Sequence, residues 1–407
     1  MNSLKKHWLV FATVVIALYS CEKLMPPLPS DNELLDGPLA GLTAEQNTIF
    51  LNGDIAFNDE VFTPSNGLGP LFVATSCGAC HAGDGKGHPF STLTRYGQVD
   101  ETGNDFLDVG GPQLQNHAIP GFSPETMPPG IGHSKFTPPA NTGLGFLEAV
   151  TDAHLISLQD PFDLDGDGIS GVVNWISLPD FVSSGDGSIA QNEKHIGRFG
   201  KKAAAFNLLH QTVNAYIQDM GITSDFVMQD LFHFNNGAFA TDNIADPEVP
   251  AATVNNVVFY LQTLREPSRR NEDDLDVLAG KNIFDGLNCN GCHLSEMQTG
   301  FSPIEPLSYQ VFYPYTDLLM HDMGSELDDG YTEGSALTSE WRTPPLWGLG
   351  LSEISQGGEY FLMHDGRAHS IEEAILMHGG EATQVREEFK SLSAGDKDKL
   401  ILFLESL

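Results

Sequence analysis

Residues 278–293 read LAGKNIFDGLNCNGCH, a Leu-x-Gly-x-x-x-Phe pattern followed closely by a Cys-x-x-Cys-His pentad. The same two patterns occur earlier, as LNGDIAF at residues 51–57 and CGACH at residues 77–81. Each unit also closes on apolar residues spaced i, i+3, i+4, i+7, at 254–264 and at 400–407, which predicts a helix with one buried face. The chain therefore repeats one plan of helix, pentad, loops and closing helix.

The Cys-x-x-Cys-His pentad is the attachment signature of c-type haem, in which two thiols bond to the vinyl groups and the adjacent His ligates iron. A thioredoxin-like redox pair would need a βαβ context, which this sequence lacks. A zinc site would have to join two cysteine pairs more than 200 residues apart. We therefore expect two covalent c-type haems, and the residues that attach and ligate them are Cys77, Cys80 and His81 for haem 1, and Cys289, Cys292 and His293 for haem 2.

The duplication predicts a mainly α fold of two cytochrome-c-like domains with long loops, each carrying one covalent c-type haem. Residues 45–264 would form the N-terminal domain with long insertions, 265–277 a linker, and 278–407 the C-terminal domain. The first unit is roughly eighty residues longer, and its extra residues are mostly rich in Gly, Pro and Asn, as loops are.

The N-terminus has the pattern of an export signal. Lys5 and Lys6 precede an apolar run over residues 8–19, which is too short to span a bilayer. The following Ser20-Cys21 resembles a bacterial lipobox, so we expect a lipoprotein signal peptide over 1–20, lipidation of Cys21 and a tether over 21–44. The alternative is a plain signal peptide with an incidental Cys. The expected location is the bacterial cell envelope, on the periplasmic side or at the cell surface, with a lipid anchor as the only membrane contact.

Composition excludes one class of partner. The chain has 55 acidic and 20 basic residues and a formal charge of −35, which argues against nucleic acid because phosphate contacts need Lys and Arg. Its five cysteines are too few for a disulfide scaffold of 407 residues. Four are assigned to haem and one to lipid, so none is left for a disulfide.

A second ligand to the haem 2 iron is predicted on one helix face. Ile371, Ala374, Ile375 and His378 fall at i, i+3, i+4 and i+7, so His378 points to the buried side. We expect His293 and His378 to hold the haem 2 iron as a saturated electron-transfer site. A His on an apolar face can also be a satisfied core residue, and weaker ligand candidates are Met323, Met363 and Met377.

The first unit has no comparable ligand. His88 lies only seven residues after His81, and three further histidines lie in or beside loops: His117, His133 and His154. An open first iron would bind hydrogen peroxide or another small oxidant. Cleavage of the O–O bond needs an acid–base group, and Glu148 is the candidate, with a surface Glu as the alternative.

An acidic loop has the D-x-D-x-D-G spacing of a calcium site. Asp163, Asp165 and Asp167 supply the acids, and Asn174 stands where a Glu normally completes the ligand set. The alternative is an Asp/Gly-rich turn in an acidic chain.

Several longer motifs occur in order, at residues 197–203, 219–223, 321–324, 342–350, 363–368 and 378–382. Through them residues 45–407 resemble the di-haem cytochrome c peroxidase superfamily (MauG-like), and within it the di-haem oxidoreductase branch, also labelled thiol oxidoreductase. The resemblance implies that the first haem is reactive and the second relays electrons. In the superfamily the ligand that follows the His-Asp-Gly motif is Met or Tyr, and here that position is His378. The superfamily also places a Trp between the haems, but no motif supports Trp175 in that role.

We therefore expect a di-haem c-type, peroxidase-like oxidoreductase that reduces hydrogen peroxide at the His81 haem. Electrons would pass through the His293/His378 haem from a redox partner protein such as a small cytochrome or cupredoxin. One alternative is a non-catalytic di-haem electron-transfer cytochrome, in which one of the four loop or near-pentad histidines closes the first haem. Another is an accessory lipoprotein of iron or haem handling.

Overall fold

The computed structural model describes residues 34–407, so the predicted signal peptide and Cys21 lie outside the described residues. Residues 35–407 form one compact unit. Helix accounts for 32% and strand for 12%, in agreement with a mainly α class, and the rest is turn and loop. Within the described residues no helix is both long enough and apolar enough to span a membrane.

Residues 34–407 contain ten α-helices. They are α1 (Ala44–Asp54), α2 (Leu144–Glu148), α3 (Asp152–Leu158), α4 (Leu208–Asn214), α5 (Ala251–Thr263), α6 (Leu275–Gly286), α7 (Ser352–Ser355), α8 (Ile371–Leu376), α9 (Thr383–Ser391) and α10 (Ala394–Ser406). A π turn continues α1 over Ile55–Asp59, and another continues α4 over Ala215–Asp219.

The strands in the same residues are short and pair in antiparallel fashion. They are β1 (Leu71–Phe72), β2 (Leu93–Tyr96), β3 (His117–Ala118), β4 (His133–Phe136), β5 (Trp175–Ile176), β6 (Ala190–Gln191), β7 (Lys194–Ile196), β8 (Phe232–His233), β9 (Ala238–Phe239), β10 (Met297–Gln298), β11 (Val311–Phe312), β12 (Met320–Asp322) and β13 (Glu340–Arg342). β5, β7 and β6 form a three-stranded sheet, and the other strands form two-stranded pairs.

The duplicated pattern builds two equivalent helix pairs, α1 with α5 and α6 with α10. A Cβ added to Gly53 in α1 would lie 2.1 Å from the carbonyl oxygen of Asn256 in α5. A Cβ added to Gly280 in α6 would lie 2.0 Å from the carbonyl oxygen of Lys399 in α10. Each Gly therefore permits the closest approach of two helices, and the closing helices predicted from the sequence are confirmed.

The apolar core consists of two large clusters, and the boundary between them does not coincide with the boundary between the two sequence repeats. The second cluster is built from residues 277–407. The first takes in most of the N-terminal half together with seven residues from the C-terminal half: Met297, Ile304, Leu307, Phe312, Leu318, Leu319 and Trp347. Phe312 stacks on Phe146, with 5.3 Å between ring centroids. The predicted boundary at residues 265–277 therefore does not separate the packing of the two halves.

Part of the predicted tether is packed against this core. Leu39 is buried, and its backbone N–H donates to the Thr263 carbonyl oxygen at 2.7 Å. Arg265 N–H donates in turn to the Gly37 carbonyl oxygen. The prediction of a tether extending to residue 44 is thus wrong for residues 37–44, because they bond to the end of α5 and then form the start of α1.

Candidate active site

One cavity of about 460 Å³ receives both Cys-x-x-Cys-His pentads. Its lining includes Cys77, Cys80 and His81 from the first pentad and Cys289, Cys292 and His293 from the second. None of these four cysteines forms a disulfide. The structure therefore brings the two predicted haem-attachment sites to the same interior space.

The first pentad lies beside the π turn that follows α1. Gly78 N–H donates to the carbonyl oxygen of Phe57, whose ring centroid is 5.9 Å from that of His81. Burial lowers the pKa of His81 to about 4, although the backbone of Pro139 acts in the opposite direction. His81 is therefore neutral near pH 7, as an iron ligand must be.

The second pentad follows α6 and shares its part of the cavity with His378, which comes directly after α8. The Nδ1 of His293 is 3.0 Å from the Tyr315 carbonyl oxygen, and the Nδ1 of His378 is 2.7 Å from the Ala374 carbonyl oxygen. Iron-ligating histidines characteristically donate one ring N–H in this way and leave the other nitrogen for the metal. Burial, and then the proximity of His378, lowers the pKa of His293 to about 4. Of the weaker candidates, Met323 and Met363 line the cavity, whereas Met377 does not.

Five partly buried cations also line the cavity, and two of them, Arg95 and Arg386, form ion pairs with Glu333 and Glu387. The other three are Lys86, Lys201 and Arg342. Burial lowers the pKa of Lys86 to about 8 and that of Arg342 to about 10. Burial, together with Lys86 and Arg342, holds the pKa of Lys201 well below its usual value. Burial of a cation is unfavourable unless an anion lies nearby. The anionic propionate groups of haem would supply such anions. The thiols, the histidines with a free ring nitrogen and these cations together form a donor set that suits two c-type haems.

Glu148 does not belong to this cavity. Its Oε1 accepts from the backbone N–H of Leu208 at 2.7 Å, and its Oε2 accepts from the Gln262 amide at 2.6 Å. Both oxygens thus fasten α2 to the start of α4 and to α5. The predicted acid–base role of Glu148 is corrected to a structural one.

Asp219 is a cavity carboxyl that sequence reasoning missed as a site residue. It ends the π turn after α4 and lines the cavity, and the Gln113 amide donates to its Oδ1. Burial raises the pKa of Asp219 to about 6, while Gln113 and Arg95 act in the opposite direction. The motif at residues 219–223 pointed to this position but gave it no role.

The four histidines considered for closing the first haem are elsewhere, since none of His88, His117, His133 and His154 lines the cavity. His321 and His364 do line it. The Nε2 of each is 2.8 Å from a carboxylate, that of Asp317 for His321 and that of Asp329 for His364. Both histidines lie in motifs that carried the resemblance, which was the available signal.

The tryptophans near the cavity are also not the one considered from the sequence. Trp175 lies in β5 and does not line the cavity, whereas Trp341 and Trp347 do. The Trp341 ring stacks on His364 with 3.7 Å between centroids and 13° between planes. The Lys202 ammonium lies 3.7 Å from the centroid of the same Trp341 ring.

The predicted calcium loop has a different carboxylate set. Asp163 and Asp165 lie together with Asp160 rather than with Asp167, whose carboxylate accepts from the Asn288 amide at 3.1 Å. Asn174 is buried away from the loop, and its amide donates to the Lys202 and Glu333 carbonyl oxygens. The expected role of Asn174 is therefore wrong in this structure, and calcium binding by Asp163, Asp165 and Asp167 stays a prediction.

Residues 131–407 match the family described as "Di-haem oxidoreductase, putative peroxidase". The match contains the second pentad and begins after the first. Two solved structures resemble the whole chain weakly. One is hydrazine synthase from Kuenenia stuttgartiensis, with 15% identity, a TM-score of 0.40 and coverage of 94% of this chain and 96% of that one. The other is a MauG-like protein associated with microbial copper homeostasis, with 13% identity, a TM-score of 0.39 and coverage of 94% of each chain. No curated protein matches the sequence.

Proposed function

This chain belongs to the di-haem oxidoreductase family, and from that premise we propose that it is a peroxidase-like enzyme. Hydrogen peroxide would be reduced at the haem held by Cys77, Cys80 and His81. Electrons would reach it through the haem held by Cys289, Cys292, His293 and His378. Bound haem iron would supply the peroxide-binding and electron-transfer chemistry.

One observation carries this proposal. Of the histidines that line the cavity outside the pentads, only His378 has its Nδ1 on a backbone carbonyl and no carboxylate on its Nε2. His378 also lies close enough to His293 to lower the pKa of that residue. The second site thus has two available imidazoles, while the first has His81 alone. An asymmetric pair of this kind suits one reactive and one relaying iron.

Proton supply is assigned to Asp219. Reduction of one peroxide to two waters consumes two electrons and two protons. A carboxyl with a pKa of about 6 exchanges protons readily near neutral pH, which a general acid–base group requires. Gln113 orients the carboxyl by donating to its Oδ1.

The electron donor is proposed to be a redox protein such as a small cytochrome or cupredoxin. The formal charge of −35 favours a donor with a basic docking surface, since complementary charge accelerates encounter. Anchoring through a lipidated Cys21 at the cell envelope, on the periplasmic side or at the surface, belongs to the same proposal. It rests on the sequence of residues 1–21.

The test is EPR with optical spectroscopy of the full-length ferric protein, before and after one equivalent of peroxide. We expect one high-spin and one low-spin bis-His signal, with the high-spin signal consumed by peroxide. Two low-spin haems that do not respond to peroxide, even after half-reduction, would contradict the peroxidase and favour an electron-transfer cytochrome. In that case Met323 and Met363, which line the cavity, would be the ligands to examine.

A further inference from the structure

A second group of carboxylates lies outside the cavity, in the segment that leads from Thr223 to the start of α5. It consists of Asp230, Asp246 and Glu248, here called the acidic triad. One oxygen from each lies within 4.8 Å of those of the other two. No sequence pattern indicated this group, because Asp230 is separated from the other two by the β8–β9 hairpin.

Some carboxylate oxygens of the triad accept hydrogen bonds, whereas others are buried without a hydrogen-bond partner. Thr223 donates through its backbone N–H to Glu248 Oε2 at 2.6 Å and through its hydroxyl to Asp246 Oδ1 at 2.7 Å. Asp230 is only 6% exposed, and its Oδ1 is buried with no hydrogen-bond partner. Glu248 Oε1 is likewise buried and without a partner. Buried oxygens in this state indicate a group that the protein chain itself does not provide.

The charge of the triad is also unbalanced. None of the ion pairs within residues 34–407 involves its members, and the carboxylate of Asp242 adds a fourth negative charge nearby. Burial, and then the proximity of Asp246, Glu248 and Asp242, raises the pKa of Asp230 to about 7, although the Thr241 side chain acts in the opposite direction. Carboxylates packed together in this way require either protons or a cation.

We propose that the acidic triad binds a calcium ion. Ca²⁺ takes carboxylate oxygens at about 2.3–2.6 Å, so two ligands on opposite sides of one ion lie up to about 5 Å apart. The separations within the triad fit that limit. Asp246 is exposed, so the ion can enter from solvent and complete its shell with water. Mg²⁺ demands a tighter octahedron and releases water reluctantly, which this partly open triad does not favour.

The triad differs from the acidic loop at residues 160–167. There the carboxylates of Asp160 and Asp163 already accept backbone N–H groups, from Leu164 and Gly168. In the triad, two buried oxygens accept nothing, one on Asp230 and one on Glu248, whereas in the loop Asp160 Oδ1 alone is in that state. Calcium at the triad would fix the position of Thr223, which lies just after the cavity residue Asp219 in the sequence.

The experiment is calcium titration of the full-length, haem-loaded protein by isothermal calorimetry, together with its thermal midpoint in Ca²⁺ and in EDTA. We expect a site with a dissociation constant on the order of 10⁻³ M or tighter, and a midpoint raised by Ca²⁺. Asp230→Asn and Glu248→Gln should each weaken that site at least about tenfold, because each removes one charged ligand. The double variant Asp163→Asn/Asp165→Asn, which alters the other acidic loop, should retain it.

Three results would overturn the proposal. The first is the absence of any binding or midpoint shift at about 5 mM Ca²⁺, a concentration above the range of extracellular calcium sites. The second is a calcium response that survives both triad variants but disappears in the double variant. The third is equal or tighter binding of Mg²⁺. If the wild-type protein binds no calcium and Asp230→Asn is more stable than wild type at pH 7, protons rather than a cation neutralise the triad.

Discussion

At the scale of single residues, the proposed electron-transfer role of haem 2 depends on His378 as its second iron ligand. Its Nδ1 is bonded to the Ala374 carbonyl oxygen, which leaves Nε2 for iron. His378→Met should raise the reduction potential of haem 2 by on the order of 0.1 V. This is a small part of the range of about 0.8 V over which axial ligands set haem potentials. Spectroelectrochemical titration of both haems measures the change. His369→Met is the matched control, since His369 is exposed and does not line the cavity. Unchanged potentials and low-spin signals in His378→Met would show that His378 is not a ligand.

The proposed role of Asp219 predicts how the rate of peroxide turnover depends on pH. Burial raises its pKa to about 6, so at pH 7 it is mostly ionised and able to take a proton from peroxide. Peroxide turnover should therefore fall as the pH drops through about 6. Asp219→Asn should lower the rate by about 10²–10⁴-fold and abolish that acid limb, with unchanged haem spectra. Glu148→Gln is the control, because Glu148 lies outside the cavity and Gln can still accept from Leu208.

The same pKa shift also affects stability. The carboxyl of Asp219 binds its proton more tightly in the folded protein than in the unfolded chain, so the protonated folded form is favoured. The contribution of Asp219 to the free energy of unfolding is then greatest below about pH 4 and is lost as the pH rises through about 6.

For peroxide turnover, equal rates and equal pH profiles for Asp219→Asn and wild type would remove Asp219 from the mechanism.

At the scale of elements, the two duplicated glycines allow the two helix pairs to form. Gly280→Ala would place a Cβ 2.0 Å from the Lys399 carbonyl oxygen, so α6 and α10 would have to separate. We expect a loss of about 1–3 kcal/mol in the free energy of unfolding, measured by denaturant titration. Gly395→Ala, in the first turn of α10, has no atom within 4 Å of the new Cβ and should be neutral or gain about 0.5–1 kcal/mol. If the two variants were equally stable, the close helix crossing would not be the reason for the Gly.

The elements also show where sequence reasoning succeeds. The faces of α5, α8 and α10 were predictable, since helical periodicity alone decides which side is buried. The role of Asp219 was not, because it lies in a π turn, where one inserted residue breaks that periodicity. The structural role of Glu148 depends on Leu208 and Gln262, which are 60 and 114 residues away in sequence. Contacts of this kind leave no local pattern, and the same holds for the burial of Asn174.

At the scale of the whole molecule, the two sequence repeats are joined by more than a linker. Arg95 of the first half forms an ion pair with Glu333 of the second at 2.7 Å, with side-chain exposures of 17% and 10%. Ser170 donates through its hydroxyl to Glu381 at 2.9 Å. Phe312 inserts into the first core against Phe146 and Trp347. The duplication describes how the chain is organised in sequence, whereas stability belongs to residues 35–407 as one unit.

It follows that the haem-loaded protein should unfold in a single cooperative transition. Differential scanning calorimetry should give one peak whose calorimetric and van't Hoff enthalpies agree. Phe312→Ala should lower the midpoint of that one peak, at a cost of about 3–5 kcal/mol, because it leaves a cavity between the two halves. Tyr313→Ala, one residue further on, should change little, since that side chain is 54% exposed. Two separated peaks, of which Phe312→Ala shifted only one, would mean that the halves are independent domains. The shared cavity would then depend on their docking, and electron transfer between the haems would weaken under any condition that separates the halves before either unfolds.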